Sequence, residues 1–198
     1  MKQKLLPHLF FFVFVLRSIS GSAQVVNTQD SLALVDLYNS TAGPGWATHT
    51  NWLTTASVSN WYGVTTLNGR VKQLSLTGNN LTGPLPASLG NLSAMVYLQL
   101  DENQLSGSLP GSITSIPLTA LILRFNQLSG SIPAALGSIP SLTLLELNNN
   151  QFTGSIPASL ASNTALNVLD LSVHQLTGSI PAFSNLPVLT VLNVGSNR

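Results

Sequence analysis

One short pattern, repeated six times, governs what this chain can fold into. A Leu-x-Leu pair, Leu-x-Val in the last copy, begins at Leu74, Leu98, Leu121, Leu145, Leu169 and Leu192, so successive copies lie 24, 23, 24, 24 and 23 residues apart. A unit of that length cannot bury its apolar residues alone. Each copy must pack on the next, and a near-constant step makes the product a solenoid of stacked turns.

The pattern within a unit assigns faces. Side chains alternate along a strand, so Leu74 and Leu76 point inward while Gln73, Ser75 and Thr77 point outward, and later copies keep this parity. An apolar residue three places before each first leucine (Val71, Met95, Leu118, Leu142, Leu166, Leu189) supplies a third core column. Parallel strands cannot be joined by tight hairpins. The rest of each unit must therefore cross back over the core, carrying Leu81, Leu105, Leu128, Phe152 and Leu176 and then Leu85, Leu109, Ile132, Ile156 and Ile180.

Polar and special residues recur in the same phase. Asn79, Asn103, Asn126, Asn150 and Asn197 follow the strands at a fixed offset, with His174 in the place of asparagine in the fifth copy. An amide side chain both donates and accepts, so these positions are read as a structural ladder for the bending backbone. His174 is read as an imperfect rung rather than a catalyst. The glycines at 83, 107, 130, 154 and 178 mark positive φ or close backbone approach. The prolines at 86, 110, 133, 157 and 181 hold the residue before them extended.

Residues 1–23 read as a secretory signal: Lys2 and Lys4, an apolar run over 9–16, then small residues up to Ala23. Residues 24–70 form an amino-terminal cap, and residues 71–198 hold five complete repeats and a truncated sixth, which suggests a fragment. In the cap a helix is expected over 27–43, capped by Asn27 or Thr28 and ended by Gly43-Pro44. All three tryptophans follow, at 46, 52 and 61. They are either a cover for the open end of the first repeat or a platform for stacking on glycans, and the need of solenoids for an atypical terminal unit favours the cover.

Only 7% of residues are charged, against a usual share of about 25%. The surface must therefore be built from Ser, Thr, Asn and Gln. Once the signal is set aside, four basic residues face six acidic ones, a balance of −2 that gives no footprint for nucleic acid or an anionic membrane. The chain has no cysteine, which excludes disulfides and thiolate metal sites.

The segments from Asn80 to Leu92 and from Leu128 to Gly137, with their Leu-x-Gly-x-Ile/Leu-Pro core, resemble the plant-type leucine-rich repeat family. Residues 30–71 resemble the cap that precedes such repeats in secreted bacterial and algal proteins. Plant members carry cysteine pairs in their caps, and this chain carries none. The resemblance implies an α/β solenoid: a right-handed curved superhelix with a concave parallel β-sheet, an amino-terminal helical cap and a role in ligand recognition.

Outward positions on the expected concave face form columns: Gln73, Tyr97, Ala120, Leu144, Val168 and Val191; Ser75, Gln99, Ile122, Glu146, Asp170 and Asn193; Thr77, Asp101, Arg124, Asn148, Ser172 and Gly195. The apolar run in the first column is either a contact patch or a set of side chains shielded by curvature. Tyr97, Arg124 and Phe125 are of the types that anchor interfaces. The expected ligand-binding set is thus Tyr97, Gln99, Asp101, Ile122, Arg124, Phe125, Leu144, Glu146 and Asp170. No catalytic, cofactor or metal-binding motif is present. The expected function is a secreted, periplasmic or cell-surface binding module for a protein or peptide, with a glycan as a further partner. The alternative is a structural or adhesive protein whose repeats bind carbohydrate, matrix or ice.

Overall fold

The computed structural model describes residues 26–198; the secretory-signal reading, on residues 1–23, lies outside them. Helix α1 spans Thr28–Ser40 and is capped by Asn27, whose Oδ1 accepts from the amides of Gln29 (2.9 Å) and Asp30 (3.4 Å). Ala33, Leu34, Leu37 and Tyr38 form its buried face. The helix stops before Gly43 because Thr41 turns its amide and hydroxyl back to Leu37 O and Ala42 adopts φ +55°.

The tryptophans close on this helix. Trp46 and Trp61 each lie 4.8 Å from Trp52 between ring centroids, and Trp46 packs edge-on to Tyr38 at 5.0 Å. Their exposures are 3% for Trp46 and Trp52 and 6% for Trp61, so no indole face is open for stacking on a sugar. Each indole N–H donates to a backbone carbonyl, of Thr41, Tyr62 or Ala56. A hairpin then leads into the repeats: Val64–Leu67 pairs antiparallel with Arg70–Ser75 through Asn68-Gly69, both at positive φ. That dipeptide is the usual sequence mark of such a turn, and the sequence reading above passed over it.

The concave sheet continues in parallel from Arg70–Ser75 through Tyr97–Gln99, Ala120–Ile122, Leu144–Glu146, Val168–Asp170 and Val191–Asn193. Its register matches the expected columns: Gln73 sits opposite Tyr97, Tyr97 opposite Ala120, Ala120 opposite Leu144, Leu144 opposite Val168, and Val168 opposite Val191. Leu74, Leu98, Leu121, Leu145 and Leu169 are all fully buried beneath it, each a gain of about 1.5–3 kcal/mol. Leu192 in the sixth copy is 42% exposed, because among the described residues no further turn packs on it.

The return segments are more ordered than the repeat alone indicates. They form a second parallel sheet of five strands, Thr82–Pro84, Gln104–Ser108, Gln127–Ser131, Gln151–Ser155 and Gln175–Thr177. The glycines of this sheet have φ between +74° and +94°. At Gly83 a Cβ would also lie 2.6 Å from Ser40 O, at the end of α1. After this sheet, Pro86, Pro110, Pro133 and Pro157 precede one-turn 3₁₀ helices.

The asparagine ladder joins these layers. Asn103 Oδ1 accepts from Asn79 N (3.0 Å) and Leu81 N (2.9 Å), while its Nδ2 donates to Leu76 O (2.8 Å) and Leu100 O (3.0 Å). Asn126 and Asn150 repeat the arrangement one and two turns on, and Asn197 does so in the sixth copy. Asn79 ties the first repeat to the cap, exchanging bonds with Thr48 O (2.8 Å) and Thr48 N. Each rung removes two or more buried backbone groups from an unpaired state that costs about 1–3 kcal/mol apiece.

Candidate binding face

The outward residues of the concave sheet do not stand equally free. Tyr97 and Gln99 on one strand, and Leu144, Glu146, Val168 and Asp170 on two adjacent strands further along, are half-buried. Tyr97 Oη donates to Gln99 Oε1 at 2.9 Å, and Ser75 Oγ donates to the same oxygen at 3.2 Å. Burial raises the Tyr97 phenol above its ordinary value, with the negative charges of Asp101 and Glu146 adding to the shift and Arg124 opposing it.

Two expected contact residues are corrected. Asp101 is 1% exposed: its Oδ1 accepts from Thr77 Oγ1 at 2.6 Å and its Oδ2 from Arg124 Nε at 3.2 Å. It is the internal counter-charge of Arg124 rather than a free group. Ile122 is 6% exposed, as is Ala120 beside it, so the third repeat is closed by its neighbours. The apolar column is thus closed at Ala120, whereas Leu144 and Val168 are half open and Val191 is 45% exposed.

Phe125 is displaced from its expected place. The strands of the concave sheet are mostly three residues long, and the chain leaves them through a residue with φ near +55°: Glu102, Phe125, Asn149, Val173 and Ser196 in successive repeats. Phe125, 48% exposed, and Val173, 44% exposed, therefore stand on the rim of the face. Sequence phase puts these residues in a column, but nothing in their types betrays the left-handed backbone. Valine is strongly disfavoured there.

Charge on the strip is unbalanced. Arg124 is shared between Asp101 and Glu146, the latter at 3.7 Å. Burial raises the Glu146 carboxyl above its ordinary value, partly offset by Arg124 and reinforced by Asp170 and Asp101. Asp170 holds only neutral donors: Ser172 N at 2.9 Å, Ser172 Oγ at 2.6 Å and Asn193 Nδ2 at 3.2 Å.

His174 occupies its rung but fills it poorly. Nδ1 accepts from Asn150 N at 3.3 Å, Nε2 is buried without a partner among the described residues, and the ring meets Phe152 edge-on at 5.3 Å. Sequence reading missed a second buried charge altogether. Asp30, fully buried in α1, accepts from Arg70 Nε (3.0 Å), Arg70 Nη2 (2.8 Å) and Val71 N (2.8 Å), locking the cap to the first strand. The partners are 40 residues apart, and no local spacing announces them.

A sheet face of register-aligned polar and apolar columns, backed by an asparagine ladder, defines a repeat solenoid. A profile of the Leucine Rich Repeat family matches residues 70–92, 117–139 and 141–163. The chain is 36% identical over 99 residues to the leucine-rich repeat receptor protein kinase EMS1 of Arabidopsis thaliana, a match covering 50% of this chain and 8% of that protein. Among solved structures, that of the BIR3–SERK2 complex from Arabidopsis thaliana is similar at 31% identity and a TM-score of 0.72, over 85% of this chain and 93% of that one. The receptor kinase HAESA of Arabidopsis, solved in complex with the peptide hormone IDA and the co-receptor SERK1, is similar at 28% identity and a TM-score of 0.63, over 85% and 33% of the two chains. The chain belongs to the plant-type leucine-rich repeat family. It spans about a tenth of the length of the curated relatives it matches.

Proposed function

We propose that this chain is a non-catalytic recognition module, working outside the cell or at its surface, that binds a protein or peptide along its concave sheet. The observation that carries the reading is the adjacent pair of strands Leu144–Glu146 and Val168–Asp170, whose outward side chains stand in register and half open, with half-open Tyr97 and Gln99 on the far side of the closed strand Ala120–Ile122. Similarity to HAESA, solved with a peptide hormone, supports the same use of this fold. The contact set is Tyr97, Gln99, Arg124, Leu144, Glu146 and Asp170, with Phe125 on the rim; Asp101 acts indirectly by holding Arg124. No described helix is long and apolar enough to cross a membrane. In this reading residues 1–23 direct secretion, 24–70 cap the solenoid and 71–198 carry the repeats. Alanine at Tyr97, Arg124 and Phe125, made singly and together, tests the face. Loss of binding to a partner captured by the intact chain is expected, and full retention in the triple variant refutes the concave-face reading.

A further inference from the structure

We propose that Glu146 and Asp170 form the seat for a lysine or arginine side chain of an extended peptide, whose apolar neighbour lies on Leu144, Val168 and Val191. This rests on the concave sheet being the peptide-binding face, and it names the chemistry that the face selects.

The argument is a shortage of donors. Glu146 and Asp170 are register partners on adjacent strands, so their backbones are about 4.8 Å apart. Asp101 and Glu146 share one cation, Arg124, and its closer contact is the 3.2 Å bond to Asp101 rather than the 3.7 Å approach to Glu146. Asp170 has no cationic partner among the described residues. Asn148 adds an independent mark. Two residues after Glu146 and on the same outward parity, it is 9% exposed, and its buried Oδ1 has no hydrogen-bond partner among the described residues.

The carboxylates of Glu146 and Asp170 and the buried Asn148 Oδ1 are acceptors with no cationic donor within hydrogen-bond distance among the described residues, and what completes them carries several N–H groups and positive charge. Ammonium offers three donors and guanidinium five. A bare metal ion fits less well, since no group of three or more carboxylate or imidazole side chains among the described residues converges on one point. A long side chain reaches half-buried oxygens while its aliphatic stem lies on the apolar column. Leu144 and Val168 are registered beside Glu146 and Asp170 on the same two strands, so charge and apolar surface are offered within two adjacent peptide positions.

The test uses two end-blocked, fluorescein-labelled heptapeptide pools that differ only at the central residue, lysine in one and norleucine in the other, read by fluorescence anisotropy against the full chain. Hydrogen exchange maps where they bind. The lysine pool should bind about tenfold more tightly, as expected for a cation meeting two half-buried carboxylates. Glu146→Gln with Asp170→Asn should remove that difference, and Arg124→Gln should enlarge it. Equal binding of the two pools to the unmodified chain overturns the seat, as does a lysine preference that survives in the double variant. The two readings fail differently. Peptides that protect residues 144–147 and 168–171 without preferring lysine sink the cation seat alone, whereas failure of both pools to protect the concave strands sinks the peptide-binding reading with it.

Discussion

Replacing His174 with asparagine should stabilise the protein, and the rungs on either side show by how much. In the regular ladder a carbonyl is shared by two amides: Leu100 O accepts from Asn103 Nδ2 and Asn126 Nδ2, each at 3.0 Å, and Leu123 O accepts from Asn126 and Asn150 at 3.1 and 2.9 Å. The pattern breaks at the next step. Leu147 O and Leu171 O each receive one ladder amide, from Asn150 and Asn197, and none from position 174. His174→Asn restores a donor to both carbonyls and an acceptor for the amide of Phe152, the counterpart of Leu128 N on Asn150. It also abolishes the unpaired buried Nε2, worth about 1–3 kcal/mol. Restored bonds add about 0.5–1.5 kcal/mol each. Against this stand the edge contact with Phe152, about 0.5–1.5 kcal/mol, and the space left by a smaller side chain. A net gain of about 1–2 kcal/mol raises the melting temperature by about 2–8 °C for a chain of this size.

A pH series sharpens the test. Burial holds the His174 imidazole below its ordinary value, opposed by the charge of Asp170. The folded state then binds fewer protons than the unfolded state, so stability falls as pH drops below about 6.5, until the folded imidazole itself protonates. The asparagine variant lacks this loss, and its advantage should widen on acidification. Calorimetric melts from about pH 7.5 to 5 check both points. A lower melting temperature at neutral pH, or an advantage that shrinks on acidification, refutes the ladder argument.

Other perturbations bear on separate parts of the fold. Asp30→Ala leaves the amide of Val71 and the guanidinium of Arg70 without their acceptor, and should cost about 2–4 kcal/mol, reduced from the full buried-pair value because Arg70 is 32% exposed; chemical denaturation showing under 1 kcal/mol, roughly the value of a surface pair, contradicts the lock between cap and repeats. Val173→Asn should stabilise by about 1 kcal/mol, since asparagine tolerates the left-handed backbone and the valine is 44% exposed; a drop in melting temperature would show that the valine has a packing role. Glu146 has its pKa raised mainly by burial, so the folded state takes up a proton more readily than the unfolded chain. Its charge therefore costs stability as pH rises through the ordinary carboxylate value of about 4.3, and Glu146→Gln should gain on the unmodified chain between about pH 4 and pH 7. A variant whose relative stability is flat over that range refutes the desolvation argument.

Much of this molecule could be read from the repeat. The outward columns at 97, 120, 144 and 168 are the observed register, and the asparagines at 103, 126 and 150 make the bonds that their spacing requires. The free surface was less legible. Asp101 and Arg124 share a predicted column, yet one is buried by the other, because exposure depends on what the adjacent turn contributes 23 residues away. Phe125 has the residue type of a face anchor and the backbone of a rim.

Periodic burial is a local property repeated, so the sequence alone determined the core columns, the ladder and the parallel stacking of the strands. Tertiary structure decided what depends on contacts between turns: the second sheet, the lock of Asp30 on Arg70, the closing of the face at Ala120 and Ile122, and the unbalanced charge around Glu146 and Asp170. Those contacts depend on how far each turn is rotated and offset from its neighbour, a quantity that the period constrains and packing alone fixes.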